Sequence, residues 1–246
     1  MYSYEKIDMF SIATGKLLGS LPFGGKERFA YDSMRCKRSD LQRLLLDKAL
    51  EAGAVVRYGK RLVGVKEGEN SVTALFEDGD EALGDILLGC DGIHSNVRTK
   101  YVDPSRSATY TGISSAYGFV PVSKITAPIH FNEPGMNSSR QGSLLTTYCD
   151  VGKKTIFIAA VMEVKDPAGE DGWLTRGRVQ EVARNDLLKR FESPSIPCIA
   201  DMMRGIEELY FYPVYTLSNG GQWFNGRAIL IGDAAHAVSI QIITRT

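Results

Sequence analysis

The chain has 246 residues, 43% hydrophobic and 24% charged, long enough for one large domain or two small ones around a sizeable core. Twenty-nine basic residues balance twenty-nine acidic ones, and the basic ones are scattered. That argues against a field, or a phosphate-tracking groove, that would draw in nucleic acid or an anionic membrane.

In chain order, "KIDMFSIATGKLLGSLPFG" (6–24) alternates apolar and polar residues around "ATGK". It predicts a hairpin, with Gly15 supplying a positive φ. "RSDLQRLLLDKALEAG" (38–53) predicts a helix. Ser39 or Asp40 caps it, and Leu41, Leu44, Leu45, Ala49 and Leu50 form an apolar stripe. Gly53 ends it. Residues 54–92 predict several short strands, with "EGEN" and "EDGDE" as turns. The last, "DILLGCDG", is nearly all apolar, as in a parallel strand buried on both faces. "HSNVRTKYV" (94–102) follows as a short helix.

From about 108 to 163 the chain reads as a second sheet, with "SLLTTYCDV" and "KTIFIAAVMEV" pairing through "DVGKK". "NEPGMNSSRQG" (132–142) reads as a polar loop. "VQEVARNDLLKRFE" (179–192) is an amphipathic helix, "ELYFYPVYTL" (208–217) another strand, and "GRAILIGDAAHA" a buried strand that ends in a turn. The order is α/β, then mostly β, then α/β again. The simplest architecture is a nucleotide-binding α/β domain interrupted by a β-sheet substrate domain.

Cys36, Cys90, Cys149 and Cys198 lie far apart, with no Cys-x-x-Cys pair. They read as buried free thiols in a reducing compartment, and neither a zinc site nor a disulfide scaffold is expected. The N-terminus lacks the charged and apolar regions of a signal peptide, and no apolar run is long enough for a bilayer. A cytoplasmic chain without a membrane span is expected.

Three stretches carry candidate chemistry. Arg38 stands at the start of the 38–53 helix, where a guanidinium beside backbone N–H donors favours an anion such as a pyrophosphate. The alternative is a solvated surface arginine. In "GCDGIHSNVR" (89–98) an apolar strand ends in Asp91 and Gly92. Ligands of open α/β sheets lie at the carboxyl ends of strands, where Asp91 can accept from a ribose or ribityl hydroxyl. A plain Asp-Gly turn is the alternative. In "ILIGDAAHA" (229–237) the logic repeats. Gly232 allows close backbone approach, and Asp233 offers acceptors or caps the helix that follows. His236 is given no catalytic role, and no catalytic triad, paired-carboxylate site or metal cluster is readable.

Taken together, "RSDLQRLL", "GCDGIHSNVR" and "GDAAHA" resemble, in order and spacing, the single-component FAD-dependent aromatic hydroxylases. That family includes p-hydroxybenzoate-hydroxylase-like and salicylate-hydroxylase-like monooxygenases. The resemblance covers about residues 1 to 239. It implies an FAD-binding Rossmann-like domain (residues 1–103 and 218–246) interrupted by a mostly antiparallel β-sheet substrate domain (104–217). It also implies FAD as cofactor, NAD(P)H as reductant, and O₂-dependent hydroxylation or epoxidation of a small organic, aromatic or secondary-metabolite substrate. By the same resemblance Arg38 contacts FAD, Asp91 and Gly92 serve FAD and NAD(P)H, and Gly232 and Asp233 hold the ribityl chain.

The family pattern also opens on a Gly-x-Gly-x-x-Gly turn, which this sequence lacks. After the Gly-Asp motif it continues with a proline, where Ile240 stands here. The sequence therefore reads as a partial FAD-binding domain, short of its first βαβ unit and cut at the other end. A non-catalytic remnant with weak or no FAD binding is the alternative expectation.

Overall fold

The computed structural model describes residues 2–164 and 178–237. Two compact units divide the chain, one built from residues 1–49 and 112–213 and the other from 50–111 and 214–241. The first 49 residues group with the large sheet. The sequence expectation had placed them with the cofactor-binding segment.

The first unit opens with β1 (Tyr2–Tyr4), β2 (Lys6–Ser11), β3 (Leu17–Pro22), a single helical turn α1 (Lys26–Phe29) and β4 (Ser33–Arg35). β2 and β3 form the predicted hairpin, and Gly15 takes φ 67° in its turn. α2 (Arg38–Glu51) follows, and its first backbone hydrogen bonds run to the Lys37 carbonyl. Ser39 and Asp40 therefore lie inside the first turn rather than capping it. Gly53 ends the helix with φ 87°. The leucine stripe is not buried: Leu41, Leu44 and Leu45 are 47%, 54% and 60% exposed.

The second unit starts with β5 (Leu62–Glu67), β6 (Val72–Phe76), β7 (Glu81–Gly84) and β8 (Leu87–Gly89). β5, β6 and β7 make an antiparallel meander through the two predicted turns.

The large sheet of the first unit adds β9 (Thr109–Pro121), β10 (Gly135–Ser139), β11 (Gly142–Tyr148) and β12 (Thr155–Glu163). It continues with α3 (Arg178–Phe191), α4 (Pro197–Gly205) and β13 (Leu209–Thr216). Its strand order is β13-β9-β12-β11-β10-β2-β3. β2 and β10 pair in parallel, while β10–β11, β11–β12 and β12–β9 pair antiparallel, the β11–β12 pair as predicted. β10 is the correction: the segment read as a loop is a strand. Its polarity is absorbed because Asn137, fully buried, donates through Nδ2 to the Leu144 carbonyl at 3.0 Å and accepts through Oδ1 from His130 Nε2 at 2.8 Å.

α4 was not anticipated, although Pro197 at its first position is a start signal. It buries Cys198, Ile199, Met202 and Met203. These pack with Leu187 and Phe191 of α3 against Ile156, Ile158 and Ala160 of β12, forming the core. Period-two alternation sends the other β12 side chains, Phe157 among them, to the opposite face.

The second unit finishes with β14 (Phe224–Asn225), β15 (Ala228–Leu230) and the short helix α5 (Asp233–His236). β15 lies between β14 and β8 and pairs in parallel with β8. The parallel pairing is as expected, but burial on both faces is not: Leu88 and Ile229 are open to solvent while Leu230 is buried. Ile240 and the residues after it lie outside the described residues, as does the expectation attached to them.

Candidate cofactor site

In the second unit, β8 and β15 run side by side with Leu230 opposite Gly89, so their carboxyl ends bring two turns together. Gly89 makes this possible. A Cβ there would lie 2.8 Å from Leu230 Cδ2 and 2.9 Å from Val97 Cβ. Sequence reasoning missed Gly89, although its place just before Cys-Asp-Gly was the available signal.

The first turn holds Asp91 and Gly92. Gly92 has φ 77°, and its carbonyl accepts from the Ser95 amide at 3.0 Å. The Asp91 carboxylate accepts from Ser95 Oγ and from the amides of Asn96 at 2.7 Å and Val97 at 3.2 Å. It therefore braces the helical segment that includes Arg98–Val102. The expected short helix is present, with its last part wound as a π-turn.

The second turn holds Gly232 and Asp233. Gly232 takes φ 59° and ψ −142°, a region essentially reserved for glycine. Its carbonyl accepts from the amides of Ala235 and His236, each at 3.0 Å, and so starts α5. Asp233 makes no side-chain cap, so the capping expectation does not hold. Its exposed carboxylate accepts no hydrogen bond among the described residues. The two aspartates thus differ: Asp91 is engaged by its own loop, while Asp233 is available to a ligand. Among the described residues, a Cβ added at Gly92 or Gly232 would meet nothing within 4 Å, so the described chain leaves the space above both backbones open.

Two arginines tie these turns together. Arg98, 1% exposed, donates to the carbonyls of Arg106 (3.0 Å), Ala234 (2.8 Å) and Ile93 (2.5 Å). One guanidinium therefore bridges the Asp91 loop and α5. Burial, reinforced by the nearby Arg106, lowers its pKa from the usual arginine range. Arg106 donates to the carbonyls of Ala235 (2.9 Å) and Ser218. Both latch onto α5 carbonyls, which a helix this short leaves without internal partners. Arg98, which closes the stretch "GCDGIHSNVR", is thus a buried strut. His236 stacks on Trp223 with ring centroids 5.1 Å apart, consistent with a structural role.

Arg38 belongs to the first unit. With Lys37 and Ser39 it lines a cavity of about 450 Å³ at the start of α2. The opposite wall is aromatic: Tyr117, Phe119, Phe157, Tyr210 and Tyr212. These come from alternate positions of β9, β12 and β13, and Phe119 stands directly opposite Phe157. Burial, aided by the neighbouring Tyr117 and opposed by Arg38, pushes the Tyr212 phenol up to about 12. Sequence reasoning found Arg38 but not this wall, because the strands alone do not say which faces meet.

All four cysteines are free, but only Cys149 and Cys198 are buried; Cys36 is half-buried and Cys90 exposed. No group of three or more His, Cys, Asp or Glu side chains among the described residues is placed to hold a metal ion. No helix among them is long and apolar enough to cross a membrane.

Residues 27–241 match the family model described as an FAD binding domain. The chain belongs to that family. Among curated relatives, YetM of Bacillus subtilis, named an FAD-dependent monooxygenase, is 29% identical over 225 residues, covering 89% of this chain and 57% of YetM. The 2-heptyl-3-hydroxy-4(1H)-quinolone synthase of Pseudomonas aeruginosa is 26% identical, covering 92% of this chain and 55% of the synthase. The chain spans about half the length of the curated relatives it matches. In fold it is similar to HpxO of Klebsiella pneumoniae, solved with FAD and uric acid. The TM-score is 0.76 at 22% identity, over 97% of this chain and 58% of that one. It is also similar to a salicylate hydroxylase solved with substrate, with a TM-score of 0.73 at 23% identity, over 95% and 58%. The p-hydroxybenzoate-hydroxylase-like fold class expected from the sequence holds.

Proposed function

We propose that the chain binds FAD and forms part of a monooxygenase that uses NAD(P)H and O₂ to hydroxylate or epoxidise a small aromatic or secondary-metabolite substrate. The observation that carries this reading is the pair of glycine-opened turns at the ends of β8 and β15, with open space above both glycines and an uncommitted Asp233. That is the arrangement a nucleotide cofactor needs at the carboxyl ends of parallel strands. The names of the curated relatives support the same class of reaction.

Each residue is assigned within its own unit. Asp233 accepts from a ribityl hydroxyl, and Gly232 admits the chain that carries it. Asp91 and Gly92 serve FAD and NAD(P)H, Asp91 by holding its loop in shape. Arg38, at the N-terminus of α2, binds an anionic group of the cofactor. Held by these residues, FAD would supply the hydride acceptor for NAD(P)H and the means of activating O₂, and the protein would orient it and exclude water. Free cysteines support a reducing, cytoplasmic setting. No observation among the described residues favours the alternative of a non-catalytic remnant.

Oxygen transfer tests the reading. With FAD, NAD(P)H and ¹⁸O₂, the protein is expected to place one labelled oxygen in an aromatic substrate from a panel of hydroxylated and carboxylated rings. FAD-loaded protein that leaves the whole panel unlabelled contradicts it.

A further inference from the structure

The cofactor turns lie at the carboxyl ends of β8 and β15, where Arg98 and Arg106 hold α5 in place. The amino ends of the same two strands are held by a junction that the cofactor contacts do not use. It is centred on Glu67, the last residue of β5. Glu67 Oε1 accepts from the Arg227 amide at 3.0 Å, in the turn between β14 and β15. Glu67 Oε2 accepts from the Tyr101 hydroxyl at 2.8 Å, and that bond raises the Tyr101 pKa from its ordinary value. Asn225 completes the junction by donating to the Tyr101 carbonyl at 3.3 Å.

The fit is close. Gly226 precedes Arg227 with φ 52°, and a Cβ there would lie 2.6 Å from Glu67 Oε1 and 2.7 Å from Oε2. The carboxylate therefore rests against bare backbone, which a side chain would displace. Arg227 fixes the neighbouring strand as well. Its carbonyl accepts from the Leu87 amide at 3.0 Å, at the start of β8, and its guanidinium donates to the Asp85 carbonyl at 3.3 Å.

These contacts reach both turns by short routes. β15 has three residues, so a shift at Arg227 arrives at Gly232 and Asp233 with little chain to absorb it. Tyr101 belongs to the segment Arg98–Val102, from which Arg98 reaches the Ala234 carbonyl. Glu67 is exposed, and a hydrogen bond that water can replace adds little to global stability. Two such bonds from one carboxylate to two elements still fix geometry, and a binding group that drifts by about 1 Å loses much of its effect.

We infer that Glu67 is a positioning residue of the cofactor site: its carboxylate sets where β15 begins, and so where Gly232 and Asp233 stand to meet FAD. The inference rests on the proposed function and adds to it a residue that acts through Arg227 and Tyr101.

FAD titration by flavin fluorescence, at a temperature where circular dichroism shows every variant folded, tests it through a double-mutant cycle. Glu67→Ala is expected to weaken FAD about tenfold in the parent chain and less than about twofold in the Asp233→Ala background, since a displaced turn matters only while Asp233 is there to be displaced. Glu67→Gln keeps an acceptor for the Arg227 amide and is expected to restore affinity to within about threefold of the parent. Gly226→Ala presses a methyl group onto the same carboxylate. It is expected to lose about fivefold, again only with Asp233 present, and it replaces Glu67→Ala should that variant not fold. A second readout needs no cofactor. The amides of Ala235 and His236 bond the Gly232 carbonyl. Their hydrogen exchange is expected to quicken about tenfold in Glu67→Ala, with the β11–β12 amides of the first unit unchanged.

FAD affinity in Glu67→Ala equal to the parent's overturns the inference. So does a loss of the same size without Asp233, which would make Glu67 a general structural support, and so does exchange that quickens equally in both units. If the parent chain binds no FAD, the functional reading fails, and the exchange measurement by itself then decides whether Glu67 places the turn.

Discussion

Replacing Arg98 with methionine isolates the strut that holds the two turns together. The side chain is 1% exposed, so its stem is retained in the variant while the guanidinium is lost. Three carbonyls lose a donor: those of Ile93, Ala234 and Arg106. Leaving a buried acceptor without its partner costs about 1–3 kcal/mol each. Against this, a buried cation no longer has to be desolvated, a burden already visible in its lowered pKa. The net expectation is a destabilisation of about 3–5 kcal/mol, a large fraction of the stability of an ordinary domain. For a chain of this size that corresponds to a fall in melting temperature of roughly 6–20 °C. Urea unfolding followed by far-UV circular dichroism measures it. A loss below about 1 kcal/mol would refute the reasoning, since a single average hydrogen bond is worth that much.

Other expectations follow from the same geometry. Gly232→Ala clashes with nothing among the described residues, yet forces a non-glycine residue to φ 59°, ψ −142°; it should cost about 1–3 kcal/mol in unfolding experiments and also weaken FAD. Gly89→Ala has the opposite cause, a Cβ pressed against Leu230 and Val97, and thermal melts should show about 1–3 kcal/mol of overpacking. Burial holds the pKa of His130 below its ordinary value, though its hydrogen bond to Asn137 partly opposes this. The unfolded chain therefore binds the proton more readily. Its contribution to stability is fully present above about pH 6.5 and is lost as pH falls towards the lowered folded value. Unfolding free energies between pH 7.5 and 5 should fall less steeply in His130→Gln than in the parent chain.

How much of this was legible in the sequence depended on whether the signal was local. The β2–β3 hairpin, the end of α2 and the β11–β12 pair were readable because Gly15, Gly53 and strict alternation act within a few residues. β10 was not. Its polar run reads as a loop until His130, Leu144 and Thr146 supply the hydrogen bonds that Asn137 needs inside the sheet. The same holds at the site. Gly92, Gly232 and Asp233 could be singled out because strand-end glycines and acids announce themselves. The strut role of Arg98 was not legible, since its carbonyl partner on Ala234 lies 136 residues away. The aromatic wall facing Arg38 escaped entirely. Tyr117, Phe157 and Tyr210 meet only when three strands are in register.

The central claim is that the turn at Asp233 holds a flavin nucleotide. Titrating FAD into the purified chain, with flavin fluorescence as the signal and melting temperature as a second readout, tests it most directly. The account predicts saturable binding, a stabilisation of about 2.7 kcal/mol at a hundredfold excess over Kd, and affinity at least about tenfold weaker in Asp233→Ala. An unchanged fluorescence and melting temperature in the parent chain, or an Asp233→Ala variant that binds FAD as tightly, would contradict it.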